Sequence, residues 1–261
     1  RDAGFHQLED PGAGVGPVIR VDSVTRTYGA ITAVDDITFG VERGQVVGFV
    51  GPNGAGKSTT LKMLATFLRP TAGTVAVDGF DAVADPLEVR RRIGYLPGDT
   101  PLYRDMIVAD LVRFVAGAHG LAGADLQVAM SRAIDMCGIG PVMSLRVREC
   151  STGFRQRVGL SCALVHDPPV LLLDEPTHGF DPLQVMAFRD LLTELKQDRA
   201  ILFSTHIIAD VEAVSDRVLI IHHGRLLGDG TLAELGQRAG LGDAGLEPIF
   251  AHLVSTFGEP A

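Results

Sequence analysis

Residues 46–60 read Val46-Val47-Gly48-Phe49-Val50-Gly51-Pro52-Asn53-Gly54-Ala55-Gly56-Lys57-Ser58-Thr59-Thr60, and their types and spacing suit one kind of chemistry. The glycines let successive backbone N–H groups turn inward as a nest for anionic oxygens. Lys57 opens a segment of helical periodicity (Leu61, Met63, Leu64, Phe67, Leu68), which brings the positive end of a helix to the same oxygens. Lys57 has the reach to meet β- and γ-phosphates, and the Ser58 hydroxyl is a ligand for Mg2+. The stretch Gly51, Pro52, Asn53, Gly54, Ala55, Gly56, Lys57, Ser58, Thr59 completes G-x-x-x-x-G-K-[ST] between a strand and a helix, the context that pattern requires. A glycine-rich turn that binds nothing is the plain alternative, and the completeness of the motif argues against it. The stretch is expected to bind a nucleoside triphosphate.

Hydrolysis of a triphosphate needs a metal ligand, a group that orients or deprotonates water, and charge stabilisers around the γ-phosphate. The apolar run Val170-Leu171-Leu172-Leu173 reads as a central parallel strand. It delivers Asp174 and Glu175 at its carboxyl end, where ligands of open α/β sheets gather. Asp174 is suited to hold Mg2+, directly or through water, and Glu175 to polarise the attacking water. A further strand, Ile201-Leu202-Phe203, delivers Ser204-Thr205-His206, and His206 is suited to bridge the γ-phosphate and Glu175. Tyr28 stands about one hairpin before the phosphate loop, where its ring can stack on a purine. Taken singly, the carboxylates read as a helix N-cap pair, the histidine as structural and the tyrosine as packing. Their weight comes from the set.

The elements that must position these groups follow from local patterns. Val18–Val21 and Ile37, Phe39, Val41 have strand character, as does Thr74–Val77 after a stop-and-turn at Arg69–Gly73. Asp85-Pro86 and Asp181-Pro182 each place an N-cap aspartate before a first-turn proline. The first helix carries Arg90, Arg91 and Arg92, read as a solvated face or one that meets acidic groups. Ile93–Leu96 is a short buried strand. From there to about Glu149 the pattern is helical, with Met106–Val115 and Asp125–Cys137 joined by a glycine-rich link, a helical insertion in an α/β core. Thr231 and Glu234 form a capping box. In the tail, Leu246, Ile249, Phe250, Leu253, Val254 and Phe257 share one helical face, expected to pack on the core.

The chain has 261 residues, 46% of them hydrophobic, and a formal charge of −9. That charge argues against a general nucleic-acid surface. Cys137, Cys150 and Cys162 show neither C-x-x-C spacing nor a nearby histidine at metal spacing, so they read as reduced, mostly buried thiols. No apolar stretch approaches the roughly 20 residues a bilayer demands. Residues 1–17, rich in glycine and proline, read as a flexible lead without the apolar segment of a secretory signal.

In order and spacing these motifs resemble the ATPase subunit of an ABC transporter, over about residues 18 to 235. The resemblance includes the phosphate loop, Tyr28, Asp174-Glu175-Pro176, His206 and the contact loop Gly179-Phe180-Asp181-Pro182. It also includes the signature Ser151-Thr152-Gly153-Phe154-Arg155-Gln156-Arg157. It implies an α/β fold with a P-loop NTPase (RecA-like) core over 18–98 and 151–235, an antiparallel β subdomain, an inserted α-helical subdomain over 99–150, and a helical tail over 236–261. It further implies ATP and Mg2+ as ligands and a second ATPase subunit, as a homodimer, arranged head to tail. Ser151 and Gly153 would then meet the partner's γ-phosphate, with Asp181 at the contact. Separate transmembrane permease subunits would carry the solute, and this chain would sit at the cytoplasmic face of the membrane, binding no nucleic acid. The run Leu96 to Met106 and the form of the signature are most similar to small bacterial type-2 exporters, including the gliding-motility type.

Two departures stand out. Gly98 occupies a position where the family usually has glutamine, and the signature carries Cys150, Thr152 and Phe154 in place of leucine, glycine and glutamine. A soluble ABC ATPase with a regulatory or nucleic-acid role, or a transporter ATPase with coupling weakened at Gly98, are the competing readings. The short interval between phosphate loop and signature, free of heptads and C-x-x-C pairs, speaks against the nucleic-acid classes.

Overall fold

The computed structural model describes residues 16–99 and 101–257, so all but the end of the glycine- and proline-rich lead lies outside the described residues. Two sheets face each other. The smaller is antiparallel, in the order β2-β1-β4-β5, from β1 (Ile19–Tyr28), β2 (Ile31–Val41), β4 (Ala72–Val77) and β5 (Phe80–Asp81). The larger has the order β10-β9-β3-β8-β7-β6, from β3 (Val46–Val50), β6 (Ile93–Leu96), β7 (Val170–Asp174), β8 (Ala200–Thr205), β9 (Arg217–His222) and β10 (Arg225–Gly230). It is parallel except for the β9–β10 hairpin at its edge.

Strands β3, β7 and β8 are buried along their whole length, and their alternation sorts side chains into two cores. Val46, Val50, Leu171, Leu173, Ile201 and Phe203 enter one core with the helices. Val47, Phe49, Val170, Leu172, Ala200 and Leu202 enter the other, beneath the antiparallel sheet. Burial on both faces explains the unbroken apolar runs. Parallel pairing sets Val50 beside Thr205 and Asp174 beside Ser204, so the carboxyl ends of three strands open onto one edge of the sheet. Gly48 belongs to this packing: a Cβ there would lie 2.5 Å from Val211, so only glycine lets α7 (Ile208–Val214) approach β3 this closely.

Helix α1 (Lys57–Leu64) ends before its periodicity does. Thr66 turns left-handed (φ 64°), and the N–H groups of Phe67 and Leu68 fold back onto the Lys62 carbonyl at 2.9 and 3.2 Å. Phe67 therefore leaves the helix, stands 68% exposed and meets the Tyr95 ring at 5.6 Å. In α2 (Pro86–Arg92) the N-cap Asp85 makes no side-chain cap bond. Its arginines are engaged: Arg91 and Arg92 pair with Glu88, and Arg90 donates to Thr66 Oγ1 at 2.6 Å.

Helices α3 (Val108–Ala118), α4 (Gly123–Cys137) and α5 (Thr152–Leu164) pack together, and α5 also lies against β6. The expected capping box forms at Thr231, which opens α8 (Leu232–Arg238), and the N-cap Asp181, which opens α6 (Pro182–Leu195), closes another with Gln184. In α9 (Leu246–Phe257), Leu246, Ile249 and Leu253 are buried in the helical-side core, with Phe250 packed against it. All three cysteines are free thiols, and burial pushes those of Cys137 and Cys162 up to about 12.

His119, following α3, stacks on His166 beyond α5, with ring centroids 3.6 Å apart and planes at 10°. His166 Nε2 lies 3.0 Å from the Ile93 carbonyl. Burial, then the neighbouring His119, lowers the His166 pKa to about 4. Because the folded value lies below the unfolded one, stability is full above about pH 6.5 and is lost as pH falls toward 4, where only the unfolded chain takes the proton. At pH 5 the cost is roughly 2 kcal/mol. Urea unfolding at pH 7 and pH 5 is expected to show His166→Gln losing less stability on acidification than the parent; equal losses would remove His166 as the cause.

Candidate functional site

The phosphate loop takes its shape from its neighbours in the fold. A Cβ on Gly51 would sit 2.3 Å from the Ile221 carbonyl, and one on Gly56 2.6 Å from that of Ala33, where φ is also +111°. No other residue type fits either place. The Gly224 N–H, from the β9–β10 turn, donates to the Ala55 carbonyl at 2.9 Å and ties the loop down from outside. Lys57 is 5% exposed. Its Nζ donates to the carbonyls of Gly51 (2.6 Å) and Pro52 (3.1 Å) and stands 4.0 Å from Glu175 Oε1. Burial pulls its pKa down, while the carboxylates of Glu175 and Asp174 oppose that shift. The ammonium is thus held inside the loop, opposite two carboxylates.

Asp174 ends β7 and is 4% exposed. Its Oδ1 accepts from Ser58 Oγ at 3.0 Å and from Ser204 Oγ at 2.5 Å. A hydroxyl and a carboxylate, both hard oxygen donors at a phosphate-binding loop, fit Mg2+, which keeps waters and takes phosphate oxygens for its remaining positions. Glu175 follows with left-handed backbone (φ 49°). This turns its side chain toward His206, whose Nδ1 lies 2.8 Å from Glu175 Oε2; a carboxylate can only accept, so Nδ1 donates. A cleft of about 740 Å³ opens here, bordered by Asn53, Ser58, Asp174, Glu175, His178 and His206 among others. A hydroxyl–carboxylate pair and a carboxylate–imidazole pair border this cleft, with the Lys57 ammonium 4.0 Å from Glu175, an arrangement that can bind a polyphosphate and direct water at its end.

Tyr28, Ser151, Gly153 and Asp181 do not line this cleft. Tyr28 is 43% exposed at the tip of the β1–β2 hairpin, with the Arg26 guanidinium 4.5 Å from its ring centroid. Ser151 caps α5, its hydroxyl accepting from the Phe154 N–H at 3.2 Å. Asp181 caps α6 through the Gln184 N–H at 2.9 Å. These two helix starts abut: a Cβ on Gly153 would meet Gln184 Oε1 at 2.6 Å and the Gly179 carbonyl at 3.2 Å. At Gly98 a Cβ would rest 3.5 Å from Asp174 Oδ2, an ordinary contact, so the position has room for a side chain beside the Asp174 carboxylate.

Further groups belong to the site that no sequence motif singles out. Ser204 bonds Asp174; its one signal in the sequence is its place near the end of a strand, β8, which pairs with β7. His178 lines the cleft and its N–H donates to the Glu175 carbonyl at 3.1 Å. Thr177 Oγ1 and Arg189 Nη2 each donate to the buried Asp210 carboxylate at 2.8 Å, which pins the loop after Glu175 to α6 and α7.

The family model described as ABC transporter matches residues 34–178, more than half of the chain. The chain belongs to the ABC transporter ATPase family. It is similar to the ABC transporter ATP-binding protein NatA of Bacillus subtilis, 40% identical over 78% of this chain and 84% of that protein. It is also similar to the doxorubicin resistance ATP-binding protein DrrA of Mycobacterium tuberculosis, 37% identical over 84% of this chain and 67% of that protein. A solved structure of an ATP-binding subunit of an ABC transporter superposes with a TM-score of 0.85 at 32% identity, covering 91% of this chain and 99% of that one. As a member of this family, the chain is an ATP-binding and ATP-hydrolysing transporter subunit with the P-loop NTPase fold. Among the described residues, no helix is long and apolar enough to cross a membrane.

Proposed function

We propose that this chain powers export as one half of a head-to-tail pair of ATPase subunits, held at the cytoplasmic face of the membrane by separate permease subunits. The observation that carries the reading is the split of the candidate residues. Ser58, Asp174, Glu175 and His206 border one cleft, and the Lys57 ammonium stands 4.0 Å from Glu175 there, whereas Ser151 and Gly153 lie apart at the start of a different helix. A helix N-terminus suits an anion, and a second copy turned head to tail would bring it to the γ-phosphate. In this scheme Ser58 and Asp174 hold Mg2+, which neutralises phosphate charge. Glu175 activates water, His206 orients Glu175, Lys57 holds the phosphates, and Tyr28 stacks on adenine with its free face. ATP then favours the closed pair because only that state makes both sets of contacts.

The permease is proposed to dock in a groove of about 590 Å³ bordered by Phe67, Leu87, Arg90, Arg91, Tyr95 and Val115. Phe67 and Leu87 are exposed large apolar side chains there, as at sites of association. Phe67 and Tyr95 line both this groove and the ATP cleft, a short path between them. Export is favoured by the similarity to a protein named for drug resistance. The division into a core of 18–98 and 151–235 with an insertion of 99–150 belongs to the same proposal. Gly98 supports a second reading, a cassette whose coupling to its permease is weakened, because no side chain projects from that position toward Asp174.

The test is the dependence of ATP hydrolysis per chain on protein concentration with Mg2+-ATP saturating. A site completed by a second copy is expected to give an activity that rises with concentration and then saturates. An activity per chain that stays constant down to dilutions at which sedimentation shows only monomer would overturn the composite site.

A further inference from the structure

The left-handed backbone of Glu175 (φ 49°) is unfavourable for a residue with a Cβ and persists only where its surroundings over-determine it. Beside the side-chain contacts to His206 and Lys57, hydrogen bonds hold its backbone at both ends. The Glu175 N–H donates to the Ser204 carbonyl at 3.0 Å, with Ser204 Oγ 3.4 Å away. The Glu175 carbonyl accepts from the His178 N–H at 3.1 Å and from Gln156 Nε2 at 3.3 Å. Ser204 belongs to the sheet and His178 to the same loop as Glu175. Gln156 comes from α5, the helix that Ser151 caps, and it is only 5% exposed. With Gly98, Asp99, Thr152, Arg155 and His178 it also borders a cavity of about 320 Å³, so the link between helix and loop runs beside space into which the peptide can shift.

We propose that Gln156 is a positioning residue for hydrolysis, coupling the seating of α5 to the aim of the Glu175 carboxylate. The inference rests on the reading of Glu175 as the group that activates water. The chain of cause is short. The carbonyl carbon and Cβ of one residue share a Cα, so a change in φ at Glu175, pivoting on its sheet-bound N–H, swings the carbonyl and the side chain together. Ser204 fixes the N–H end of Glu175 from the rigid sheet, while Gln156 fixes the carbonyl end from a helix of a different layer. When α5 is seated, the amide holds the carbonyl and the carboxylate keeps its place opposite Lys57 and His206. When α5 shifts, the bond breaks and the left-handed turn loses one of its supports. The signature helix thus acts on the hydrolytic centre of its own chain, in addition to the contact proposed with a partner's nucleotide.

The test uses the purified full chain and two substitutions, Gln156→Met, which keeps the size and removes the donor, and Gln156→Asn, which keeps the amide and shortens its reach. Both are expected to lower kcat by about 10- to 100-fold, the scale of a misplaced catalytic group, with the Kd for a fluorescent ATP analogue and the melting temperature held near the parent values. In a Glu175→Gln background, adding Gln156→Met is expected to cost under about twofold more in single-turnover hydrolysis, since residues acting through one another are not additive. Losses that multiply, a kcat unchanged in both single variants, or a fall in nucleotide binding that accounts for the fall in rate would overturn the proposal. Parent-like turnover in Glu175→Gln alone would instead overturn the reading of Glu175 on which it rests.

Discussion

Glu175→Gln will bind ATP like the parent and hydrolyse it at least about 100-fold more slowly, the loss expected when a general base is removed. The substitution is well isolated by the geometry. Glutamine has the same length, and its amide oxygen can still accept from His206 Nδ1, which lies 2.8 Å from Oε2 in the parent. The hydrogen bonds that hold the left-handed turn involve only the Glu175 backbone, so they survive. What disappears is a carboxylate able to take a proton from water. Lys57, 4.0 Å from Oε1, loses one anionic neighbour but keeps Asp174 and the two loop carbonyls, so the phosphate cradle stays charged. Removing a negative charge near the γ-phosphate also relieves repulsion, and ATP affinity is expected to hold or rise. Phosphate release under single-turnover conditions, with nucleotide binding measured in parallel, checks both halves. If the composite site is correct, the variant will also accumulate as an ATP-bound pair, visible as a doubled mass in sedimentation. Parent-like phosphate release would exclude Glu175 from the chemistry.

Much of this site was legible in the sequence because it stands on strand ends. β3, β7 and β8 are buried on both faces, which forces unbroken apolar runs that any reader can find, and the residues just beyond them fall at one edge of a parallel sheet. The phosphate loop was legible for another reason: close backbone approaches at Gly51 and Gly56 admit only glycine, so the pattern is written in residue types. The contacts that escaped depend on spatial order. β8 lies between β3 and β7 in the sheet although it follows both in the chain, and only that order sets Ser204 against Asp174. The bond from Gln156 to Glu175 joins a helix to a loop 19 residues on, and the His119–His166 stack joins the ends of two helices. Neither has a periodicity to betray it. Phe67 misled because its spacing continued that of α1, while the Lys62 carbonyl had already been taken by the returning N–H groups. Local pattern reports which face a residue would occupy in a helix, not whether the helix persists.

Lys57→Met is expected to abolish most ATP hydrolysis while leaving the nucleotide-free chain as stable as the parent or more so. Methionine retains the aliphatic volume of the buried side chain, which separates loss of charge from creation of a cavity. In the free protein the ammonium sits 5% exposed among the carbonyls of Gly51 and Pro52 and near Glu175. Burial opposes its charge, as its lowered pKa records, and removing a buried charge in favour of an apolar isostere is often neutral or stabilising. The bound state is different. A triphosphate brings several negative charges against Asp174 and Glu175, and without Lys57 the only fixed cation of the loop is gone. Losing one preorganised stabiliser of transition-state charge costs on the order of 3–4 kcal/mol, about 100- to 1,000-fold in rate, and ATP binding will weaken as well because the same contact exists before the reaction. Arginine should not rescue it, since a planar fork cannot enter a pocket shaped around a single ammonium. Melting temperature with and without ATP, set beside kcat/KM, reads both effects at once. A lysine kept for function gives a variant whose free form melts no lower than the parent while its ATP-induced rise in melting temperature shrinks. A variant that simply unfolds at lower temperature in both states would mark Lys57 as structural and remove it from the phosphate-binding role.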